Sequence, residues 1–158
     1  MKQYATFTFD SYRLDPASRR VELHYSLDDA VRFTETVTFP APWNERHDRA
    51  AVDRALATLH LLGGISYYKT CCPKRIEVRT APLSEEQARF FERVYENGLG
   101  EFFYRNDLDF RGLVRFPASG EGRRNEAHPA PYRPRRVLAP IGGGKDSIVT
   151  AEWLKEAG

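Results

Sequence analysis

The chain has 158 residues, 41% hydrophobic and 29% charged, with a net charge of +2. That length suffices for one domain with a sizeable core, and the composition excludes a disordered chain. So small a net charge singles out neither nucleic acid nor membrane as a partner.

No run of roughly 18 apolar residues occurs, so no transmembrane helix is expected. The start, Met1-Lys2-Gln3-Tyr4-Ala5-Thr6, lacks the apolar stretch of a signal peptide. Cys71 and Cys72 are adjacent. They cannot form a disulfide framework and read as small packing residues. These features point to a cytoplasmic, reduced protein.

The first forty residues predict a three-stranded antiparallel meander. Phe7 and Phe9 alternate with polar neighbours, as do Val21, Leu23, Tyr25 and Leu27. Val31, Phe33, Val37 and Phe39 share a parity, with Glu35 the polar exception. The turns fall at Asp15-Pro16-Ala17-Ser18 and at Asp28-Asp29.

A helix is predicted from Asp48 to Leu62. Val52, Ala55, Leu56, Leu59 and Leu62 form its apolar stripe, and Gly63-Gly64 its stop. Ile65 to Lys69 reads as a short extended segment. Ile76 and Val78 suggest a short strand. Ser84 and Gln87 form a capping box that opens a second helix to about Asn97. Its buried face is Ala88, Phe91, Val94 and Tyr95, and Gly98 stops it.

Residues 117–134 hold four prolines and the pair Arg123-Arg124, and read as a linker or long loop. The expected organisation is an α+β domain over 1–116, that linker, and a second domain that begins at 135. Arg136 to Ile141 reads as a buried strand, and Asp146 to Lys155 as a helix. Between them lies Gly142-Gly143-Gly144-Lys145-Asp146-Ser147.

Strand, glycine turn and helix in that order suit a phosphate. Glycines let backbone N–H groups approach phosphate oxygens, and a helix N-terminus presents free N–H groups and partial positive charge. Lys145 would add a cation and Ser147 a hydroxyl, while Asp146 would cap the helix or hold Mg²⁺. The spacing is not that of a Walker A loop, because Lys145 is followed by Asp146. Nor is it a dinucleotide fingerprint, because position 147 is Ser.

The run instead resembles the Ser-Gly-Gly-x-Asp-Ser loop of the ATP-pyrophosphatase (PP-loop) superfamily, with Gly142 in place of the first Ser. That resemblance implies ATP cleavage between the α- and β-phosphates and adenylation of a substrate. It also implies further parallel strands, so the nucleotide domain only begins here.

Three further runs extend the likeness: Leu62 to Lys69, Gly98 to Asn106, and Pro140 to Ser147. Together they resemble the N-terminal region of the UDP-N-acetylmuramoyl-L-alanyl-L-glutamate epimerase (MurL) family. This resemblance implies inversion of the terminal L-glutamate of a UDP-muramoyl dipeptide in cell-wall synthesis, with ATP and Mg²⁺. The remainder of the enzyme is then an implied partner. Another adenylating PP-loop enzyme, either an amide-forming synthetase or a tRNA-modifying one, is the alternative. A substrate-binding module without catalysis of its own is a third reading.

The substrate-side candidates are Tyr67, Tyr68 and Lys69, which follow a helix stop, and Glu101, Arg105 and Asn106, which sit among aromatics. Arg105 suits a carboxylate or diphosphate. The competing reading is structural: tyrosines closing a core, and Arg105 paired with Glu101 at helical spacing. His24, His47, His60 and His128 have no ligand spacing and read as structural or solvated. Arg133, Arg135 and Arg136 read as a solvated strand entry. No catalytic base is identifiable.

Overall fold

The computed structural model describes residues 4–40, 48–119, 139 and 141–157. The chain divides into two compact units, residues 1–124 and 125–158. In the first, β1 (Thr6–Asp15), β2 (Arg20–Leu27) and β3 (Val31–Thr38) form the predicted antiparallel meander. A fourth strand, β4 (Arg75–Val78), adds parallel to β1 and gives the order β3-β2-β1-β4. The class is α+β, as expected, with a mixed sheet.

A bulge between Phe9 and Ser11 changes the parity of β1. Phe7 and Phe9 before it, and Tyr12 and Leu14 after it, all pair with the odd-numbered residues of β2. Those are Leu27, Tyr25, Leu23 and Val21, each buried. The extra residue therefore keeps one continuous apolar face along a ten-residue strand.

The helices are α1 (Arg49–Gly63), α2 (Ile65–Tyr68), α3 (Glu85–Gly98) and α4 (Gly100–Arg105). Asp48 caps α1 by accepting from the Ala50 N–H at 2.9 Å. The Ser84–Gln87 capping box on α3 is present in both directions. Ala88, Phe91 and Tyr95 form its buried face, with Val94 half-buried.

Three sequence expectations need correction. Ile65 to Tyr68 is the helix α2, not an extended segment. Gly64 is not a left-handed stop: its φ is −59°, so the chain passes almost directly from one helix into the next. Its glycine is required by space, because a Cβ there would lie 2.4 Å from Phe9 Cε1 and 3.0 Å from the Tyr95 hydroxyl. Finally, the buried face of α1 is Leu56, His60 and Leu61, whereas Ala55, Leu59 and Leu62 are exposed.

The end of α1 is buried, so its last carbonyls need donors other than water. Tyr25 from β2 donates its hydroxyl to His60 O at 3.0 Å, as a second donor beside the Gly64 N–H at 3.2 Å. Tyr95 from α3 donates to Leu61 O at 2.7 Å. One helix end is thus held by the sheet and by a second helix together. Burial drives both hydroxyls far above the ordinary tyrosine range, so they remain donors.

Segment 110–119 returns over this core. Phe116 is buried with its ring 5.7 Å from Phe9, 5.7 Å from Phe91 and 5.1 Å from Tyr95. The Ser119 N–H donates to Leu83 O at 3.0 Å, so the first residues of the predicted linker are tied to the loop before α3. Residues 120–134 of that linker lie outside the described residues, as do Val137 and Leu138 of the predicted strand. Among the described residues no helix is long and apolar enough to cross a membrane.

Two predictions follow from the buried end of α1. Tyr95→Phe leaves a buried carbonyl without a donor and is expected to cost about 1–3 kcal/mol. Tyr68 is equally buried, yet among the described residues its hydroxyl has no partner. Tyr68→Phe is therefore expected to cost nothing or to stabilise, and urea denaturation of both variants checks the contrast.

His60 supplies a pH dependence. Its Nε2 lies 2.9 Å from His24 O, so that nitrogen carries the proton, and among the described residues Nδ1 has no partner. Burial holds its pKa below the usual histidine value. The unfolded chain then takes up a proton below about pH 6.5 that the folded chain does not. Stability, read by urea denaturation, is expected to be full well above that pH and to fall as pH drops through it toward the lower folded-state value. His60→Asn is expected to flatten this slope.

Candidate functional site

The second unit holds α5 (Lys145–Glu156), with Gly144 as its N-cap. Gly143 has φ +82°, which only glycine adopts without strain. Among the described residues, a Cβ at Gly142, Gly143 or Gly144 would meet no atom within 4 Å. The three glycines therefore frame an open approach to the helix start. The Ser147 N–H and the Ile148 N–H both turn back to Gly144 O, at 3.2 and 3.4 Å. The N–H groups of Lys145 and Asp146 have no backbone partner among the described residues.

The side chains complete the picture. Ser147 donates its hydroxyl to Gly144 O at 2.7 Å, so it must rotate to meet a ligand. Lys145 and Asp146 are exposed, and among the described residues neither side chain has a hydrogen-bond or ion-pair partner. No group of three or more His, Cys, Asp or Glu among the described residues could hold a metal ion. One carboxylate beside a phosphate site still suits Mg²⁺, which takes one or two carboxylates plus phosphate oxygens and water.

The other candidates lie in the first unit. Tyr68 is a core residue, its ring 5.9 Å from Phe7 and 5.6 Å from Tyr95. Tyr67 is half-buried, stacked at 5.0 Å on Tyr25 and tilted against Phe33 at 4.9 Å. Its hydroxyl donates to Glu35 at 2.5 Å. That bond explains the polar exception in the β3 pattern, and it pushes the Tyr67 pKa up to about 12, with burial adding to it. Lys69 is exposed.

Glu101 and Arg105 pair at 2.8 Å across one turn of α4, both largely exposed. Asn106 donates its side-chain N–H to Phe102 O at 2.8 Å, closing that helix. Among the described residues no hydrogen bond or ion pair joins this group to Tyr67, Tyr68 or Lys69. The structural reading of Glu101 with Arg105 therefore matches the geometry.

The remaining sequence candidates are quiet. Cys71 and Cys72 are free and half-buried, and burial lifts the Cys72 thiol to about 11, so it is a poor nucleophile. His24 lies 3.1 Å from Thr34 Oγ1 and 3.7 Å from Glu22. His47, His128, Arg133, Arg135 and Arg136 lie outside the described residues. Sequence reasoning missed Arg79, which bridges Asp10, Asp29 and Glu77 at 2.9, 2.7 and 3.3 Å. Three carboxylates already saturate that guanidinium, and no local motif announces it because its partners come from different strands and turns.

Comparison with known proteins adds to this geometry. A family described as the MurL N-terminal domain matches residues 1–158. A UDP-N-acetyl-alpha-D-muramoyl-L-alanyl-L-glutamate epimerase from Xanthomonas oryzae pv. oryzae (strain MAFF 311018) is 40% identical over 99% of this chain. Proteins of the same name from Micromonospora sp. (strain ATCC 39149 / NRRL 15099 / SCC 1413) and from Salinispora tropica are each 38% identical over 100% of it. The chain spans 35–36% of the length of these relatives. No solved structure matches it.

Proposed function

The chain belongs to the MurL N-terminal domain family, and on that premise we propose that it is the N-terminal part of an ATP-dependent epimerase. The substrate is a UDP-N-acetylmuramoyl-L-Ala-L-Glu, and the product carries D-glutamate for peptidoglycan synthesis. The observation that carries the proposal is the Gly142–Ser147 turn. It opens a twelve-residue helix whose Lys145 and Asp146 N–H groups have no backbone partner among the described residues.

The chemistry is coherent with such a site. The proton α to a free carboxylate is hard to remove, since the carbanion would form beside a negative charge. In the proposed step an oxygen of the glutamate α-carboxylate attacks the α-phosphorus of ATP, and pyrophosphate leaves. The mixed anhydride no longer carries the carboxylate charge, so a base can take the α-proton and return of a proton to the other face inverts the centre. Water then attacks the acyl carbon and releases AMP.

In this reading the glycine loop and the α5 N-terminus bind the ATP phosphates, Lys145 neutralises charge as pyrophosphate departs, and Asp146 contributes to a Mg²⁺ site. Lys69, Arg105 and Asn106 keep exposed polar groups, so they are the better placed of the substrate-side candidates. Tyr68 is not, because its hydroxyl is buried. The rest of the full-length protein supplies the further strands and the proton-transfer groups.

Full-length protein with ATP, Mg²⁺ and UDP-muramoyl-L-Ala-L-Glu is expected to release AMP and form D-glutamate. Lys145→Ala is expected to slow AMP release roughly a hundredfold, the scale of losing one charge-stabilising group. AMP formed only with another acceptor would sink the epimerase and leave another adenylating enzyme. Unchanged AMP release in Lys145→Ala would remove the loop from the reaction.

A further inference from the structure

The turn between α2 and β4 holds two thiols that the proposed reaction does not use. Cys71 and Cys72 are adjacent, free and half-buried. Cys72 has φ +45° and stands directly before Pro73. Asp28, Asp29 and Asp107 also have positive φ, which their short polar side chains tolerate. A residue before proline is instead restricted to extended backbone, so the turn stores strain at Cys72. The Cys71 and Cys72 N–H groups hold the turn, both donating to Tyr68 O, at 3.4 and 2.9 Å.

A second observation points to the same place. The Tyr68 hydroxyl is fully buried and has no partner among the described residues. Burial, and after it the charges of Cys72 and Cys71, hold that hydroxyl protonated. An unused donor thus stands near two sulfurs that react only as thiolates. The surroundings are basic. Lys69 and Lys74 are exposed, with no ion-pair partner among the described residues, and Arg75 pairs with Glu77 at 2.8 Å.

We propose that Cys71 and Cys72 are a modification site for anionic low-molecular-weight disulfides, and that the reaction ends in a disulfide between the two adjacent residues. The Cys71 thiolate attacks one sulfur of the reagent, and the other half leaves as a thiolate. Cys72 loses its proton to water and attacks the Cys71 sulfur. The second half of the reagent then leaves as a thiolate and takes up a proton. Two protein thiols become one disulfide, and one reagent disulfide becomes two thiols. Burial lifts the Cys72 thiol to about 11, so a free reagent meets Cys71 first. The second attack is intramolecular, which offsets the small thiolate fraction, and the Tyr68 hydroxyl can donate to the forming thiolate.

The two residues share a trans peptide, so their Cα atoms are about 3.8 Å apart. Unstrained disulfides span about 4.4–6.8 Å. The ring is therefore strained and easily reduced, as regulatory disulfides are. Closing it draws the Cys72 N–H away from Tyr68 O and loosens the end of α2. The proposal rests on this turn, not on the reaction proposed above.

Full-length protein treated with oxidised glutathione tests it, with free thiols alkylated before tryptic digestion. The peptide from Thr70 to Lys74 carries both sulfurs and no other cysteine. Mass spectrometry is expected to find it two hydrogens lighter, and dithiothreitol to reverse the change. Cys72→Ser is expected to stop at a glutathione adduct on Cys71. Tyr68→Phe is expected to form the adduct at the normal rate and to close the ring several-fold more slowly. Cystamine, a cationic disulfide, is expected to react several-fold more slowly than oxidised glutathione. A wild-type peptide that stays unmodified or stops at the adduct would overturn the proposal. Ring closure at the wild-type rate in Tyr68→Phe would remove Tyr68 from it, and cystamine reacting as fast would remove the preference for anions. The readout involves neither ATP nor AMP, so its failure leaves the epimerase reading standing, and the reverse also holds.

Discussion

The first unit depends on how the C-terminal end of α1 is buried. A helix end leaves carbonyls unpaired, and inside a core water cannot serve them. Here a strand and a second helix each supply a tyrosine hydroxyl, on His60 O and Leu61 O. Gly64 makes the burial possible, because any larger residue would strike Phe9. The same few residues set where α2 begins, and hence where Tyr67 meets Glu35. A change that freed this helix end would loosen the sheet, α1 and α3 together.

The second unit is governed by different physics. Its described part is a glycine turn and one helix, and Ile141, Ile148, Val149 and Trp153 are 47–70% exposed. A helix this apolar on its surface is made to lie against another layer. The chain spans only 35–36% of its relatives' length. The glycine turn and the helix start nevertheless form locally, because they need only a left-handed glycine and the backbone bonds of one helix.

Much of the fold was legible in the sequence, for reasons visible in particular residues. Period-two alternation placed the three meander strands, and Ser84 with Gln87 placed the start of α3. The failures share a cause, which is tertiary contact. Gly63-Gly64 read as a stop, and α1 does end at Gly63, but Gly64 is a glycine for its close approach to Phe9 and Tyr95 rather than for a left-handed turn. The apolar stripe of α1 read as its buried face, yet the neighbours bury His60 and Leu61. The β1 bulge and the Arg79 cluster left no local trace. For the site, the glycine turn and the helix after it were legible because both are local, whereas the substrate-side tyrosines were chosen by proximity to glycine, and Tyr68 proved to be core.

The claim that most needs testing is that the substrate's own carboxylate attacks ATP. Full-length protein can be given UDP-muramoyl-L-Ala-L-Glu labelled with ¹⁸O in the α-carboxylate of the glutamate. The account predicts one ¹⁸O in each AMP released, because the bridging oxygen stays with phosphorus when water attacks the acyl carbon. AMP free of label, formed alongside D-glutamate, would contradict it, since the carboxylate would then never have bonded to phosphorus.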